Sequence, residues 1–243
     1  MKFSKLNRIY SNKKLIENQI ITMDSDNAHY LKTVLRLRAG DKLRIFNSEC
    51  GEFIAQIEDL SKSSLSINLL NLLRKPLIEP ILILGLSIIK TDRMLDAINM
   101  AVQLGVTGII PIISERSQFR VINIERLQKC IIEATEQSER LNLPYLGAIT
   151  SLKNYNNLDL DLIIYANENE HSENSMLKFN PLASKLSLIV GPEGGFTDKE
   201  INMLASWHNA LSVSLSPNVL RSETAVSVGL AQLQLIRGTH ARS

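Results

Sequence analysis

The stretch ILILGLSII at 81–89 carries no charge and almost no polarity. A strand wetted on one face alternates polar and apolar residues. A run that is apolar throughout fits a strand covered on both faces, as in a parallel sheet layered between helices. The residues that follow agree. TDRMLDAINMAVQLG (91–105) has the spacing of an amphipathic helix, with Thr91 expected as its cap and Gly105 as its stop. The strand TGIIPII (107–113) and the helix NIERLQKCIIEATEQSERL (123–141) come next. LDLIIYA (160–166) and LSLIVG (186–191) read as strands, TDKEINMLASW (197–207) as a helix, NALSVSLS (209–216) as a strand and SETAVSVGLAQLQLIRG (222–238) as a final helix. Strands alternating with helices imply βαβ units, so 81–243 reads as an α/β domain.

Residues 1–73 have another texture. Short β-like runs at 18–23, 41–47, 52–60 and 64–73 are separated by Asp, Asn, Ser and Gly. Between the first two, DNAHYLKTVLRLRAGD (26–41) places Tyr30, Leu31, Val34, Leu35 and Leu37 at helical spacing, with Gly40 as a stop. Several short strands in so few residues suggest a small β-barrel-like domain. RKPLIEP (74–80), with two prolines, reads as a linker.

At 44% hydrophobic and 21% charged, the composition is that of an ordinary globular protein. No apolar stretch is long enough to span a membrane, and the N-terminal residues MKFSKLNRIY lack the apolar core of a secretory signal. Cys50 and Cys130, far apart and without CxxC spacing, read as free thiols of a reducing cytoplasm. His29, His171, His208 and His240 form no metal-ligand pattern, and no metal is expected. Residues 1–76 carry 13 Lys+Arg against 8 Asp+Glu, a net of +5, and the remainder 14 against 17, a net of −3. A basic segment joined to a mildly acidic one suits a nucleic-acid-docking module, although surface charge of no function would look the same.

Ligands of open parallel sheets bind at the carboxyl ends of the strands. Two loops leaving such ends are unusual. In GPEGGF (191–196), Gly191, Gly194 and Gly195 permit positive φ and a close approach to the main chain. Thr197 and Glu200 then form a T-x-x-E capping box for the next helix. The loop ends without GK[ST], is not GxGxxG, and holds the acid Glu193, so a phosphate cradle fits poorly. A tight strand-to-helix connection remains open. In LSPNVLRSETA (215–225), Arg221 and Glu223 sit where the chain turns into a helix that Ser222 or Thr224 could cap. They read either as a local ion pair or as a guanidinium poised for a phosphate or an anionic base. SERSQ (114–118) and EQSER (136–140) each set an Arg beside hydroxyl and amide groups; such clusters read as solvated faces or, taken together with the basic segment, as contacts for an anionic polymer.

LIVGPEGGFTDKE and LSPNVLRSETA together resemble the signature of the RsmE family, methyltransferases of the SPOUT superfamily. HYLKTVLRLRAGD (29–41), IIKTDRMLDAINMAVQLGVTGIIPIISERSQ (88–118) and IIEATEQSERLNLP (131–144) resemble three further blocks of the family, in order, over most of the chain. Gln103 stands in place of the family's usual Glu, Ser216 in place of Gly, and Ser222 in place of Thr, which keeps the hydroxyl.

The resemblance implies a PUA-like β-barrel for RNA docking at 1–73, the linker 74–80, and a SPOUT methyltransferase domain at 81–243 whose part from about 186 onward forms a trefoil knot. It implies a homodimer and a cytoplasmic enzyme that methylates N3 of one uridine in small-subunit ribosomal RNA, free or in the assembled subunit. S-adenosylmethionine is the implied methyl donor. Another SPOUT target, such as a ribose 2′-oxygen, and a non-catalytic RNA-binding assembly factor are the alternatives. Gly191, Pro192, Glu193, Gly194, Leu215, Ser216, Val219 and Leu220 are expected to line the cofactor site. Arg221 is the expected group that orients the base and stabilises its negative charge, with Glu223 and then Glu193 as proton acceptors or as partners of an Arg. Arg8, His29, Arg36, Arg38, Arg116 and Arg140 are the expected RNA contacts.

Overall fold

A computed structural model describes residues 6–23, 25–61, 65–170, 176 and 184–237. His171, His240, Gly238 and the end of the segment expected to be knotted lie outside them. The chain divides into two compact units, Met1–Ile78 with Thr135–Leu143 and Glu79–Ala134 with Pro144–Ser243.

The first unit is built on β1 (Arg8–Tyr10), β2 (Ile20–Met23), β3 (Lys42–Asn47), β4 (Gly51–Leu60) and β5 (Leu65–Arg74), in the sheet order β1-β3-β4-β5-β2. β1 runs parallel to β3 and the other pairs are antiparallel. In β2 the alternation is clean, with Ile21 and Met23 buried while Ile20 and Thr22 face out. Leu43, Ile45, Ala55, Ile57, Leu65 and Ile67 fill the core with Leu31. β1 is too short for any periodicity to announce it.

The continuous helix expected over 26–41 does not form. Instead α1 (Ser25–His29) passes into a single π turn at Tyr30–Val34, and Arg36 takes a left-handed φ of 56°. A π turn is wider than an α turn. It keeps Leu31 in the core but leaves Val34, expected on the apolar face, 60% exposed.

At the centre of this unit Glu52 is completely buried, yet it accepts from Arg8 Nε at 2.5 Å and Arg74 Nε at 2.6 Å. Arg44 lies 3.7 Å away and bonds Glu139 at 2.7 Å. That bond holds the Glu139 carboxyl below its usual range. Arg8 packs its guanidinium 3.5 Å from the centroid of the Phe46 ring. It also donates to the carbonyls of Thr135, Glu136 and Arg140. Burial pulls its pKa down against the pull of Glu52. The cluster joins the segment 135–143 to the sheet.

The second unit is an all-parallel sheet of β6 (Ile81–Ser87), β7 (Gly108–Ile113), β8 (Tyr145–Leu146), β9 (Thr150–Ser151), β10 (Leu162–Ala166), β11 (Lys185–Val190) and β12 (Ala210–Val213). Its order is β12-β10-β11-β6-β7-β8, and β9 also pairs with β7. The apolar run of β6 sits near the middle and is buried from Leu82 to Ser87. One side of the sheet is covered by α4 (Asp198–Ala205) and a 3₁₀ segment, Leu152–Asn157, around Tyr155, Ile163, Ile189 and Leu204. Tyr155 is fully buried and bonds Ser187 Oγ at 2.7 Å, and burial pushes its hydroxyl pKa up.

α2 (Thr91–Gln103), α3 (Ile124–Gln137) and α5 (Ser222–Arg237) complete the helices. Thr91 is not the cap of α2: Lys90 holds that position, and it makes no side-chain capping hydrogen bond among the described residues. Gly105, at φ +87°, turns the chain out as expected, and Gln234 of α5 bonds the neighbouring Leu104 carbonyl at 2.7 Å. α5 lies on α2 and β11, and a Cβ at Gly229 would fall 2.7 Å from Leu188 Cδ2.

Candidate functional site

The carboxyl ends of β10, β11 and β12 are neighbours in the sheet, and the chain leaves each in an irregular loop. The three loops enclose a pocket of about 680 Å³, open mouth included. Val190, Gly191, Pro192, Glu193, Gly195 and Phe196 form one wall and Ser214, Leu215, Ser216, Asn218 and Leu220 another, with Ser222 and Ala225 behind. Of the residues expected here, Gly191, Pro192, Glu193, Leu215, Ser216 and Leu220 are brought together. Gly194 and Val219 belong to the same loops without lining the pocket, and Val219 is 78% exposed.

The third wall is Ala166, Asn167, Glu168 and Asn169, after β10. No sequence pattern announces this wall, because ANENE (166–170) reads as ordinary polar loop. Its shape is set by Asn167, whose Oδ1 accepts from Asn169 N at 3.1 Å and whose Nδ2 donates to Ser212 Oγ at 3.2 Å. The Glu168 carboxylate thereby comes within reach of the cavity. A Cβ on Gly195, which has φ +66°, would lie only 3.0 Å from Glu168 Oε1.

The glycine-rich loop is held from both sides. Ser222 was expected as a possible cap of α5, but it is the first residue of that helix and does not cap it. Its buried hydroxyl donates to the Gly191 carbonyl at 2.9 Å and so ties the two principal walls together. On the far side Arg116 Nη1 donates to the carbonyls of Gly194 at 2.7 Å and Phe196 at 3.3 Å. The capping box forms as expected, with Thr197 Oγ1 accepting from Glu200 N and Glu200 Oε2 accepting from Thr197 N. Glu200 has a second duty, since its Oε1 accepts from Glu115 N at 2.8 Å. The hydroxyl of Thr197 and the Lys199 ammonium hold the Glu115 carboxyl below its usual range. SERSQ is thus a brace for GPEGGF.

Ser216 adopts no left-handed conformation, and its hydroxyl accepts from Asn218 N at 3.0 Å, closing a small turn. The residue that replaces the family's glycine therefore shapes the loop without strain.

Arg221 is exposed beside the pocket, and among the described residues its guanidinium has no partner. Glu223 does not pair with it. One carboxylate oxygen of Glu223 is shielded from solvent and unpartnered among the described residues. Glu193 pairs instead with Arg93 of α2 at 3.2 Å. Two expected RNA contacts turn out otherwise engaged. Arg8, with a side chain only 3% exposed, is held in the Glu52 cluster and does not present its guanidinium to solvent. Arg116 is exposed, but its Nη1 is used on the loop. His29, Arg36 and Arg38 are exposed on the first unit, and Arg140 is half-buried with its carbonyl bonded to Arg8. Among the described residues no group of His, Cys, Asp and Glu is arranged to hold a metal ion. None of the described helices is long and apolar enough to cross a membrane.

The family model for an RNA methyltransferase domain matches residues 78–234, and that for an RNA methyltransferase PUA domain matches 24–70. A ribosomal RNA small subunit methyltransferase E from Rickettsia conorii is 50% identical over 97% of this chain and 98% of its own. A methyltransferase from Legionella pneumophila, solved in complex with the bound cofactor SAM, is 30% identical with a TM-score of 0.84, covering 95% of this chain and 98% of that one. The ribosomal RNA small subunit methyltransferase E from Neisseria gonorrhoeae, solved bound to S-adenosyl methionine, is 25% identical with a TM-score of 0.86 over the same shares.

Proposed function

The chain belongs to the ribosomal RNA small subunit methyltransferase E family, and from that premise we propose that it transfers a methyl group from S-adenosylmethionine to N3 of one uridine in small-subunit ribosomal RNA. The observation that carries this reading is the pocket itself. Two loops with the family's signature, joined by the Ser222–Gly191 hydrogen bond, meet at the carboxyl ends of adjacent parallel strands.

The residues present fit the cofactor. Val190, Pro192, Leu215, Leu220 and Ala225 give apolar surface for an adenine, and Asn167, Glu168 and Ser216 give polar groups for ribose and amino-acid moieties. Gly191 leaves its main chain bare on the cavity side, and a Cβ there would press on Phe196 at 3.3 Å. S-adenosylmethionine supplies, when bound, a methyl carbon already activated by its sulfonium.

The protein's own task is at the uracil. N3 is a weakly acidic imide and attacks well only when its proton is lost and the charge is stabilised. Arg221, adjoining the pocket with its guanidinium unengaged, takes the second role. The shielded oxygen of Glu223 takes the proton. Glu193, spent on Arg93, holds the rim of the pocket.

Arg36, Arg38, Arg140 and His29 dock RNA on a PUA-like unit. Their phosphate contacts position the substrate without reading its sequence, and binding falls steeply with salt. The trefoil knot, a homodimer and a cytoplasmic location complete the proposal on the strength of the family resemblance. The test is transfer of labelled methyl from S-adenosylmethionine to small-subunit particles and to naked RNA. Label in either supports the enzyme; label in neither sinks it and favours a binding factor.

A further inference from the structure

A second cavity, about 890 Å³ with its mouth, opens at the carboxyl ends of β7 and β9 on the same edge of the parallel sheet. Its walls include Ile113, Leu152 and Met203. Ser151 also lines it, with a hydroxyl shielded from solvent and unpartnered among the described residues. Three cations stand at it, Arg120, Lys153 and Lys199, all exposed. Lys199 is paired with Glu115 at 3.3 Å, whereas Arg120 and Lys153 have no ion-pair partner among the described residues. The two carboxylates at the cavity are already engaged, Glu115 by Thr197 and Lys199 and Glu200 by two main-chain N–H groups. What remains unsatisfied is one hydroxyl and two positive charges around an apolar hollow.

We propose that this cavity receives a nucleotide of the RNA substrate next to the one that is methylated. The base stacks against Ile113, Leu152 and Met203 with an edge on Ser151, and its phosphate lies at Arg120 and Lys153. The inference rests on the RNA methyltransferase reading. Proteins that recognise RNA by sequence splay single bases into pockets with a stacking surface and a few polar groups, and phosphates are met by Arg and Lys at the rim. The position suits a polymer, because the segment 193–200 supplies lining residues to both cavities. Glu193, Gly195 and Phe196 face the first, and Lys199 and Glu200 the second. A strand of RNA crossing this braced segment would place successive nucleotides on either side of it.

Met203 is a reporter, since no methionine lines the first pocket. With the full chain labelled at its methionine methyl carbons and saturated with S-adenosylmethionine, uridine 5′-monophosphate and adenosine 5′-monophosphate are titrated separately. A saturable shift of the Met203 methyl resonance is expected with at least one. The double substitution Arg120→Glu, Lys153→Glu is expected to weaken that binding about tenfold or more, the loss of charge-assisted contacts. The uncharged Ser151→Leu, which fills the hollow, is expected to abolish the shift and to raise KM for the RNA about tenfold, the loss of one stacked base. Thermal melting of each variant checks that it is folded. The proposal is overturned if Met203 does not respond to either nucleotide or to an oligonucleotide of small-subunit sequence. It is also overturned if folded Ser151→Leu keeps both the shift and the KM. Methyl transfer without a Met203 response removes the cavity from the account and leaves the enzyme standing. A Met203 response without transfer to any RNA supports the nucleotide site while refuting the enzyme.

Discussion

Replacing Ser222 by Ala removes one oxygen and tests whether the two principal loops form a single cofactor wall. The Ser222 hydroxyl is buried, 4% exposed for the residue, and donates to the Gly191 carbonyl at 2.9 Å. Deleting it loses one hydrogen bond and leaves an acceptor with less than it needs, a cost of about 1–3 kcal/mol. At roughly 2–4 °C per kcal/mol for a protein of this size, the melting temperature should fall by roughly 2–12 °C. If the bond holds the pocket in its binding shape, part of the same loss appears as affinity. S-adenosylmethionine should then bind up to about 5- to 150-fold more weakly by titration calorimetry. Ser222→Thr keeps the hydroxyl and should restore both values. An alanine variant that melts lower yet binds the cofactor within about twofold of the parent would refute the claim, because the bond would then serve stability alone.

Arg221→Ala should lower turnover by about 10²–10³-fold, the scale of losing one preorganised donor to a developing anion, with cofactor affinity unchanged. Unchanged turnover would remove Arg221 from the chemistry. Glu52→Gln removes the carboxylate charge that pairs with Arg8 and Arg74 at a completely buried site and should cost about 3–5 kcal/mol in urea unfolding of the first unit. Gly229→Ala drives a methyl to 2.7 Å from Leu188 Cδ2 and should cost about 1–3 kcal/mol, read as a lower melting temperature.

Most of the second unit was legible because its longer strands are largely apolar and its helices amphipathic, whereas the two-residue strands β8 and β9 and the 3₁₀ segment Leu152–Asn157 are too short for a period to announce them. The glycine-rich loop was legible for another reason: three glycines mark a main chain open to positive φ and close approach, and the capping box fixes where the helix after it starts. Other features escaped because they depend on neighbours in space. ANENE becomes a pocket wall only because β10 lies between β11 and β12 in the sheet, an order that the chain order does not state. Arg8 looks like a surface cation until Glu52 and the carbonyls of 135–140 gather around it. Arg116, read as an RNA contact, is recruited by two loop carbonyls far along the chain. The helix expected over 26–41 fails on a local point: a short α segment and one π turn end at Val34, and the left-handed Arg36 that follows is not announced by apolar spacing.

The most direct measurement is the identity of the methylated nucleoside. Small-subunit RNA treated with the protein and S-adenosylmethionine, then digested to nucleosides and resolved by mass spectrometry, should yield 3-methyluridine from one position. A 2′-O-methyl nucleoside, or methyl spread over many positions, would contradict the account.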